Sequence, residues 1–209
     1  MRPLEIEVKF HIRDVSRIRR NILDLSGARS GKAFETNICY DDRRHSLRRR
    51  GELLRLRQAG RENILTHKMK PAKADRRFKV FGELEIRVDD FETTGQILSS
   101  LGFQPQQVYE KWRESFDLDH THLCLDEMPF GNFLEIEGTP DAIQSAAARL
   151  NLDWSERILL NYLEIFSRLK KRLNLPFSDV TFDNFESNPV DPAVIASELN
   201  DVLTGSAHP

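Results

Sequence analysis

Residues 4–10 read Leu-Glu-Ile-Glu-Val-Lys-Phe, with apolar and charged side chains in strict alternation. A period of two predicts a β-strand with one apolar and one charged face. Asp14 follows as a helix cap. Val15, Ile18, Ile22 and Leu25 then recur at helical spacing until Gly27, so a helix is expected there. Strand patterns return at about 35–41, 53–59, 62–70 and 80–89. A second helix is predicted over 91–101, closed by Gly102, and strands follow at about 106–118, 121–127 and 131–138. Thr139-Pro140-Asp141 opens a third helix through Leu150, and a fourth is predicted from about Ser155 to Arg172. Eight strands with only occasional helices do not make a doubly wound parallel sheet. The expected class is α+β, an antiparallel sheet closing as an eight-stranded β-barrel with helices packed outside.

The 209 residues suit one domain with an extension. The 31 basic and 33 acidic residues nearly cancel, to −2, but they are unevenly placed. From Leu173 to Pro209 there is no Lys or Arg, while Asp179, Asp183, Glu186, Asp191, Glu198 and Asp201 make the stretch acidic. Four of the nine prolines also fall there. This shift predicts a domain over 1–172 and an acidic, proline-containing extension over 173–209. The extension reads either as a partly ordered tail or as a segment pinned to the domain by Phe177, Phe182 and Phe185. A helix is expected at 192–203, with Asp191 and Pro192 at its start. No apolar run approaches the roughly 18 residues of a membrane span. Met1-Arg2-Pro3-Leu4-Glu5 has no apolar leader behind it, and Cys39 and Cys124 read as reduced, packed thiols. These points make a cytoplasmic protein the expectation.

The charged faces carry the chemistry. Glu5, Glu7 and Lys9 share one face of the first strand, opposite Ile6 and Val8. Arg55 with Arg57, Lys68 with Lys70, Glu83 with Glu85 and Arg87, Lys111 with Arg113, and Glu135 with Glu137 repeat the pattern. Acids gather on some strands and bases on others. In a barrel whose apolar faces turn outward, these side chains line a channel. Such a lining is unfavourable without a matching ligand. The ligand that matches is a polyanion accompanied by divalent cations. Arg and Lys hold phosphate oxygens, and paired carboxylates hold Mg²⁺ or Mn²⁺.

The motifs recur in a recognisable order. Glu5-x-Glu7-x-Lys9, Tyr40-Asp41, Leu54-Arg55-Leu56-Arg57 and Leu65-Thr66-His67-Lys68 are followed by Glu83-x-Glu85 and Glu110-Lys111-x-Arg113. The series closes with Leu125-Asp126-Glu127 and Gly131-Asn132-Phe133-Leu134-Glu135-Ile136-Glu137. Over about residues 3–166 the chain resembles the CYTH superfamily, the triphosphate tunnel enzymes. These include class IV adenylyl cyclases, thiamine triphosphatases and inorganic triphosphatases. Two departures stand out. Phe81 occupies a position where the family often has Arg, leaving Arg87 or Lys79 to supply that phosphate contact, and Lys70 is an added cation.

The resemblance implies roles. Glu5, Glu7, Glu135 and Glu137 would bind metal, with Glu83 and Glu85 completing the sites. Arg55, Arg57, Lys68, Lys70, Arg87, Lys111 and Arg113 would clamp the triphosphate, as Lys9 would in one reading. Lys9 and Tyr40 would together activate water in the other. Asp126 would orient a base or help bind metal. The arginine-rich loop Arg43-Arg44-His45 to Arg48-Arg49-Arg50 borders the tunnel mouth or is solvated, and without interleaved aromatics it is a poor nucleic-acid patch. Arg76, Arg77 and Lys79 sit in a similar loop that could close over bound triphosphate. Neither the six histidines, His208 among them, nor any glycine-rich loop offers a second site. The expected function is metal-dependent hydrolysis of an inorganic or organic triphosphate. The alternatives are a class IV adenylyl cyclase making cyclic AMP and pyrophosphate from ATP, and a non-catalytic nucleotide or polyphosphate-binding module. The expected partner is a triphosphate-containing small molecule such as ATP or tripolyphosphate, with no membrane and no nucleic acid. A homodimer is compatible with this reading.

Overall fold

A computed structural model of the chain describes residues 4–71, 73 and 75–205. The leader reading of Met1–Pro3 and the histidine at 208 lie outside the described residues. The elements are β1 (Leu4–His11), α1 (Val15–Asp24), β2 (Ala28–Asp42), α2 (Ser46–Arg50), β3 (Leu53–Ala59), β4 (Glu62–Met69) and β5 (Lys79–Val88). They continue with α3 (Phe91–Ser100), β6 (Phe103–Leu118), β7 (Thr121–Met128), β8 (Gly131–Gly138) and α4 (Pro140–Arg149). A 3-10 turn (Trp154–Glu156) precedes α5 (Tyr162–Leu173), α6 (Phe182–Ser187) and α7 (Pro192–Thr204). The eight strands close into a barrel in the order β1-β5-β4-β3-β2-β6-β7-β8, with antiparallel neighbours throughout.

The hydrophobic core lies outside this barrel. Val8 and Phe10 of β1, Leu123 and Leu125 of β7, and Leu134 and Ile136 of β8 pack under Ile18 and Ile22 of α1 and Ile143, Ala146 and Ala147 of α4. Leu56 and Tyr40 pack under Leu98 of α3. Asp14, Asp90 and Thr139 start α1, α3 and α4 by accepting backbone N–H groups that the first turn leaves unpaired. Charged positions, having the opposite parity to these apolar ones, turn inward.

One end of the barrel is plugged. Tyr162, Ile165, Phe166 and Leu169 of α5 pack with Phe130 and Phe133. The expected fourth helix begins seven residues late because Ile158 is used otherwise. Its backbone exchanges two hydrogen bonds with Lys9, at 3.1 and 2.7 Å, and Asn161 then caps α5 through a reciprocal box with Glu164. The short α2 was not evident from the sequence. Asp41 creates it by accepting the N–H groups of Leu47 and Arg48 at 3.0 Å each.

The residues after 173 pack onto the plug. Val180 bridges to Tyr109 of β6, Phe177 stacks on Phe166, Phe185 meets Phe177 edge-on, and Phe182 lies against Phe34. Leu199 and Val202 of α7 complete the same cluster, while Arg172 pairs with Glu198 and Asp201. Phe166 is therefore enclosed on all sides. Phe166→Ala is expected to cost about 3–5 kcal/mol of unfolding free energy, measured by denaturant titration, with the first apolar cluster under α1 and α4 intact.

A charged tunnel as the candidate active site

Within the barrel, β1 presents Glu5, Glu7 and Lys9, and β8 presents Glu135 and Glu137. Their register sets Lys9 opposite Glu135 and Glu7 opposite Glu137. β2 and β3 place Cys39 against Arg55 and Asn37 against Arg57, while β6 and β7 place Arg113 against Asp126. The tunnel and its openings enclose about 1690 Å³.

The side chains form a desolvated lattice. Lys9 Nζ donates to Glu7 at 2.6 Å and stands 2.9 Å from Glu135. Burial alone would lower the Lys9 ammonium, but Glu135 and Glu7 outweigh it and hold the pKa above the usual lysine range. Lys79 also reaches Glu7, at 2.6 Å, and Lys68 contacts Glu5 and lies 3.4 Å from Glu83. Asp126, wholly buried, accepts from Lys111 at 2.8 Å, from both ends of the Arg113 guanidinium at 2.7 and 2.6 Å, and from the Tyr162 hydroxyl at 2.8 Å. Arg113 also contacts Glu135. Glu35 faces Arg57 at 3.4 Å and Lys111 at 3.7 Å. Burial would raise the Glu35 carboxyl, yet Lys111 and Arg113 pull it down to about 2.

Arg55 differs from the other cations. It is 6 % exposed, and its guanidinium donates only to the hydroxyls of Tyr109 at 3.1 Å and Thr66 at 3.2 Å. Its Nε has no hydrogen-bond partner, nor do the buried Nδ2 of Asn37 and Oε2 of Glu35, the last of which has only the Lys111 ammonium at 3.7 Å. Among the described residues no carboxylate lies within ion-pair distance of Arg55. At the other extreme, carboxylates crowd together. Burial and Glu5 raise Glu83 to about 7 against the pull of Lys68, and burial with Glu5 and Glu7 raises Glu137.

The structure thus brings together Glu5, Glu7, Lys9, Arg55, Arg57, Lys68, Glu83, Glu85, Lys111, Arg113, Asp126, Glu135 and Glu137. Three expectations are corrected. Tyr40 has the parity of Ile38 and packs outside the wall against Leu56 and Leu98, its hydroxyl over Gly95, so it is no partner for Lys9. Arg87 projects beyond the rim, its side chain 79 % exposed and 3.2 Å from Glu62, whereas Lys79 does face inward. Lys70 is exposed at the mouth, beside Gly51, rather than in the clamp. Sequence reasoning missed Tyr162, whose ring lies 5.1 Å from Lys9 Nζ and 5.2 Å from Lys111 Nζ. It also missed Glu35 and Asn37, although their alternation with Thr36 and Ile38 was readable.

A closed antiparallel barrel lined by paired cations and carboxylates defines a charged-tunnel protein. Residues 3–166 match the CYTH domain family, and the chain belongs to that family. "Putative adenylate cyclase MJ0240" of Methanocaldococcus jannaschii is 27 % identical over 135 residues, 64 % of this chain and 76 % of that protein. The PH1012 protein of Pyrococcus horikoshii OT3 superposes with a TM-score of 0.64 at 27 % identity, covering 76 % of this chain and 96 % of its own. HpAC1 from Hippeastrum, described as having a dominant triphosphatase activity, shares the fold with a TM-score of 0.56 at 16 % identity, covering 78 % and 95 %. Among the described residues no helix is long and apolar enough to cross a membrane.

The raised Glu83 carboxyl has a consequence for stability. Its folded pKa of about 7 lies above the ordinary 4.5, so the fold favours the protonated form. That contribution is complete below about pH 4.5 and is lost as pH rises through 7. The ligand-free melting temperature is therefore expected to fall between pH 5 and 8. Glu83→Gln should flatten the fall, matching wild type at pH 5 and exceeding it at pH 8. Equal pH slopes for the two proteins would contradict the assignment.

Proposed function

We propose that the tunnel binds a triphosphate and hydrolyses its terminal phosphoanhydride with the help of Mg²⁺ or Mn²⁺. The observation that carries this is Arg55. Its only hydrogen-bond partners are neutral hydroxyls, Glu35 and Glu83 act on it only from beyond ion-pair distance, and an entering anion would be its first direct charged partner. Arg57 on the same strand, Lys68 on the adjoining β4, and Lys111 and Arg113 on β6 line the same cavity, so an entering phosphate chain would meet several charge-assisted donors. Lys9 stays cationic beside Glu7 and Glu135, which suits a donor to a phosphate oxygen rather than a base.

The donor set suits a hard divalent cation. Glu5, Glu7, Glu83 and Glu137 offer only oxygen, and Glu137 has no ion pair among the described residues. As placed, no three such groups among the described residues converge on one point, because lysines occupy Glu5 and Glu7. Phosphate oxygens would draw those ammonium groups away and free the carboxylates. A bound cation would neutralise charge on the transferred phosphoryl group. The protein's own part is to hold the chain in line and to exclude bulk water.

A second reading rests on the name of the Methanocaldococcus relative. There the ribose 3′-hydroxyl of ATP attacks the α-phosphorus and releases pyrophosphate. Incubation with ATP and with tripolyphosphate, plus Mg²⁺ or Mn²⁺, followed by separation of phosphate, pyrophosphate and cyclic AMP, distinguishes the two. Phosphate release from both compounds is expected. Cyclic AMP with pyrophosphate would establish the cyclase, and binding without any product would establish a non-catalytic module.

Arg55→Met should lower kcat/KM by roughly 10²–10³. The ligand-free variant should stay folded, because Arg55 makes no direct ion pair whose loss would strand a carboxylate. Wild-type kinetics in this variant would remove Arg55 from the site.

A further inference from the structure

Glu35 is a buried carboxylate with no hydrogen-bond donor of its own. It lies on β2, which runs between β3 and β6 in the barrel. Lys111 of β6 stands directly opposite it, and Arg57 of β3 stands opposite Asn37, two residues further along. Glu35 is 3 % exposed and Asn37 is wholly buried, whereas Arg57, Lys111 and Arg113 line the cavity. The two β2 side chains therefore form a layer beneath three cations of the clamp.

Glu35 Oε1 lies 3.4 Å from Arg57 Nη1 and 4.0 Å from Arg113 Nε, and its Oε2 lies 3.7 Å from the Lys111 ammonium. A charge-assisted hydrogen bond closes at roughly 2.7–2.9 Å. Asp126 holds Lys111 at 2.8 Å and Arg113 at 2.7 and 2.6 Å. Glu35 thus attracts three cations from two strands without capturing any of them. It is nonetheless ionised, because Lys111 and Arg113 hold its carboxyl at about 2 against the effect of burial. A second desolvated carboxylate beneath two cations that already have Asp126 is a poor source of stability. Its effect is on direction. Asn37 Oδ1 accepts from Arg57 Nε at 2.9 Å while Glu35 draws Nη1, so the plane of that guanidinium is set. The Arg57 Nη2 is left without a hydrogen-bond partner among the described residues.

We infer that Glu35, with Asn37 beside it, is the positioning residue of the clamp, a fixed counter-charge that aims Arg57, Lys111 and Arg113 without using up their donors. The inference rests on the reading of the tunnel as a triphosphate site. Cations attract an anion from any orientation, but only aimed donors distinguish one anion from another of different shape.

The test is calorimetric titration of the full chain in chelator at fixed ionic strength, with tripolyphosphate and with citrate, a polyanion of different shape. Glu35→Gln keeps the shape of the side chain and removes its charge. Lys111 and Arg113 retain Asp126, and Arg57 retains Asn37, so the variant should fold. With one negative charge fewer beneath the clamp, citrate should bind more tightly than in wild type. Tripolyphosphate should not share that gain, and its preference over citrate should fall about tenfold, the effect of one charge-assisted hydrogen bond. Asn37→Ala removes the acceptor of Arg57 and changes no charge. It should lower the same preference with no gain for citrate. An unchanged preference in Glu35→Gln, with both affinities rising or falling together, is the mark of charge or stability alone. That result overturns the inference and leaves the tunnel reading intact. If Glu35→Gln does not fold, an unchanged preference in Asn37→Ala overturns it equally. Absence of tripolyphosphate binding in wild type overturns the tunnel reading and the positioning role with it.

Discussion

Asp126 has no contact with solvent, yet it carries a charge, and much of the tunnel depends on how that charge is met. A buried carboxylate is tolerated only when its oxygens are fully hydrogen-bonded to cations or donors. Lys111 and Arg113 from β6 and Tyr162 from α5 meet it. One side chain of β7 therefore fixes the neighbouring strand and the helix that plugs the barrel. Arg113 and Lys111 then hand the constraint on to Glu135 and Glu35, and Glu135 hands it to Lys9. Replacing either partner of such a pair strands the other, which gives the lattice its rigidity.

That lattice can exist because the barrel is closed and its apolar side faces outward. α1, α3 and α4 cover three arcs of the wall, and α5 with the segment after 173 covers one end. The interior thus needs no apolar filling and can remain a cavity. Compensation inside is nearly complete but not uniform. Cations with carboxylate partners lie beside Arg55, which has no direct one, while burial and Glu5 push the Glu83 carboxyl up to about 7. An anion at one place and a cation at the other would correct both imbalances. The phosphate clamp and the metal preference proposed above are two sides of that single mismatch.

Much of this was legible in the sequence. Period-two alternation gave all eight strands and the inward parity of Glu5, Lys9, Arg55, Lys111 and Glu135, because a closed barrel leaves each strand only two faces. The same parity sets Tyr40 with Ile38, on the outer face, and motif order alone misdirected its assignment. Arg87 has inward parity, but β5 outlasts the enclosed part of the barrel there, and no local pattern marks a rim. Tyr162 was hidden because a helix residue among Ile165, Phe166 and Leu169 reads as packing. Its hydroxyl acquires a role only when the plug meets Asp126, a contact across 36 positions of sequence. The acidic run after 173 looked separable by composition, whereas its aromatic residues decide its position.

The central claim is that the tunnel is electrostatically incomplete without a bound polyanion. The most direct measurement is thermal unfolding in chelator with added tripolyphosphate, compared with sulfate at equal ionic strength. A ligand at a hundred times its Kd stabilises by about 2.7 kcal/mol, or roughly 5–10 °C for a chain of this size. A rise of that order with tripolyphosphate, well beyond the effect of sulfate, is the predicted result. Equal shifts for the two anions would show that the lattice is complete as it stands, and would contradict the account.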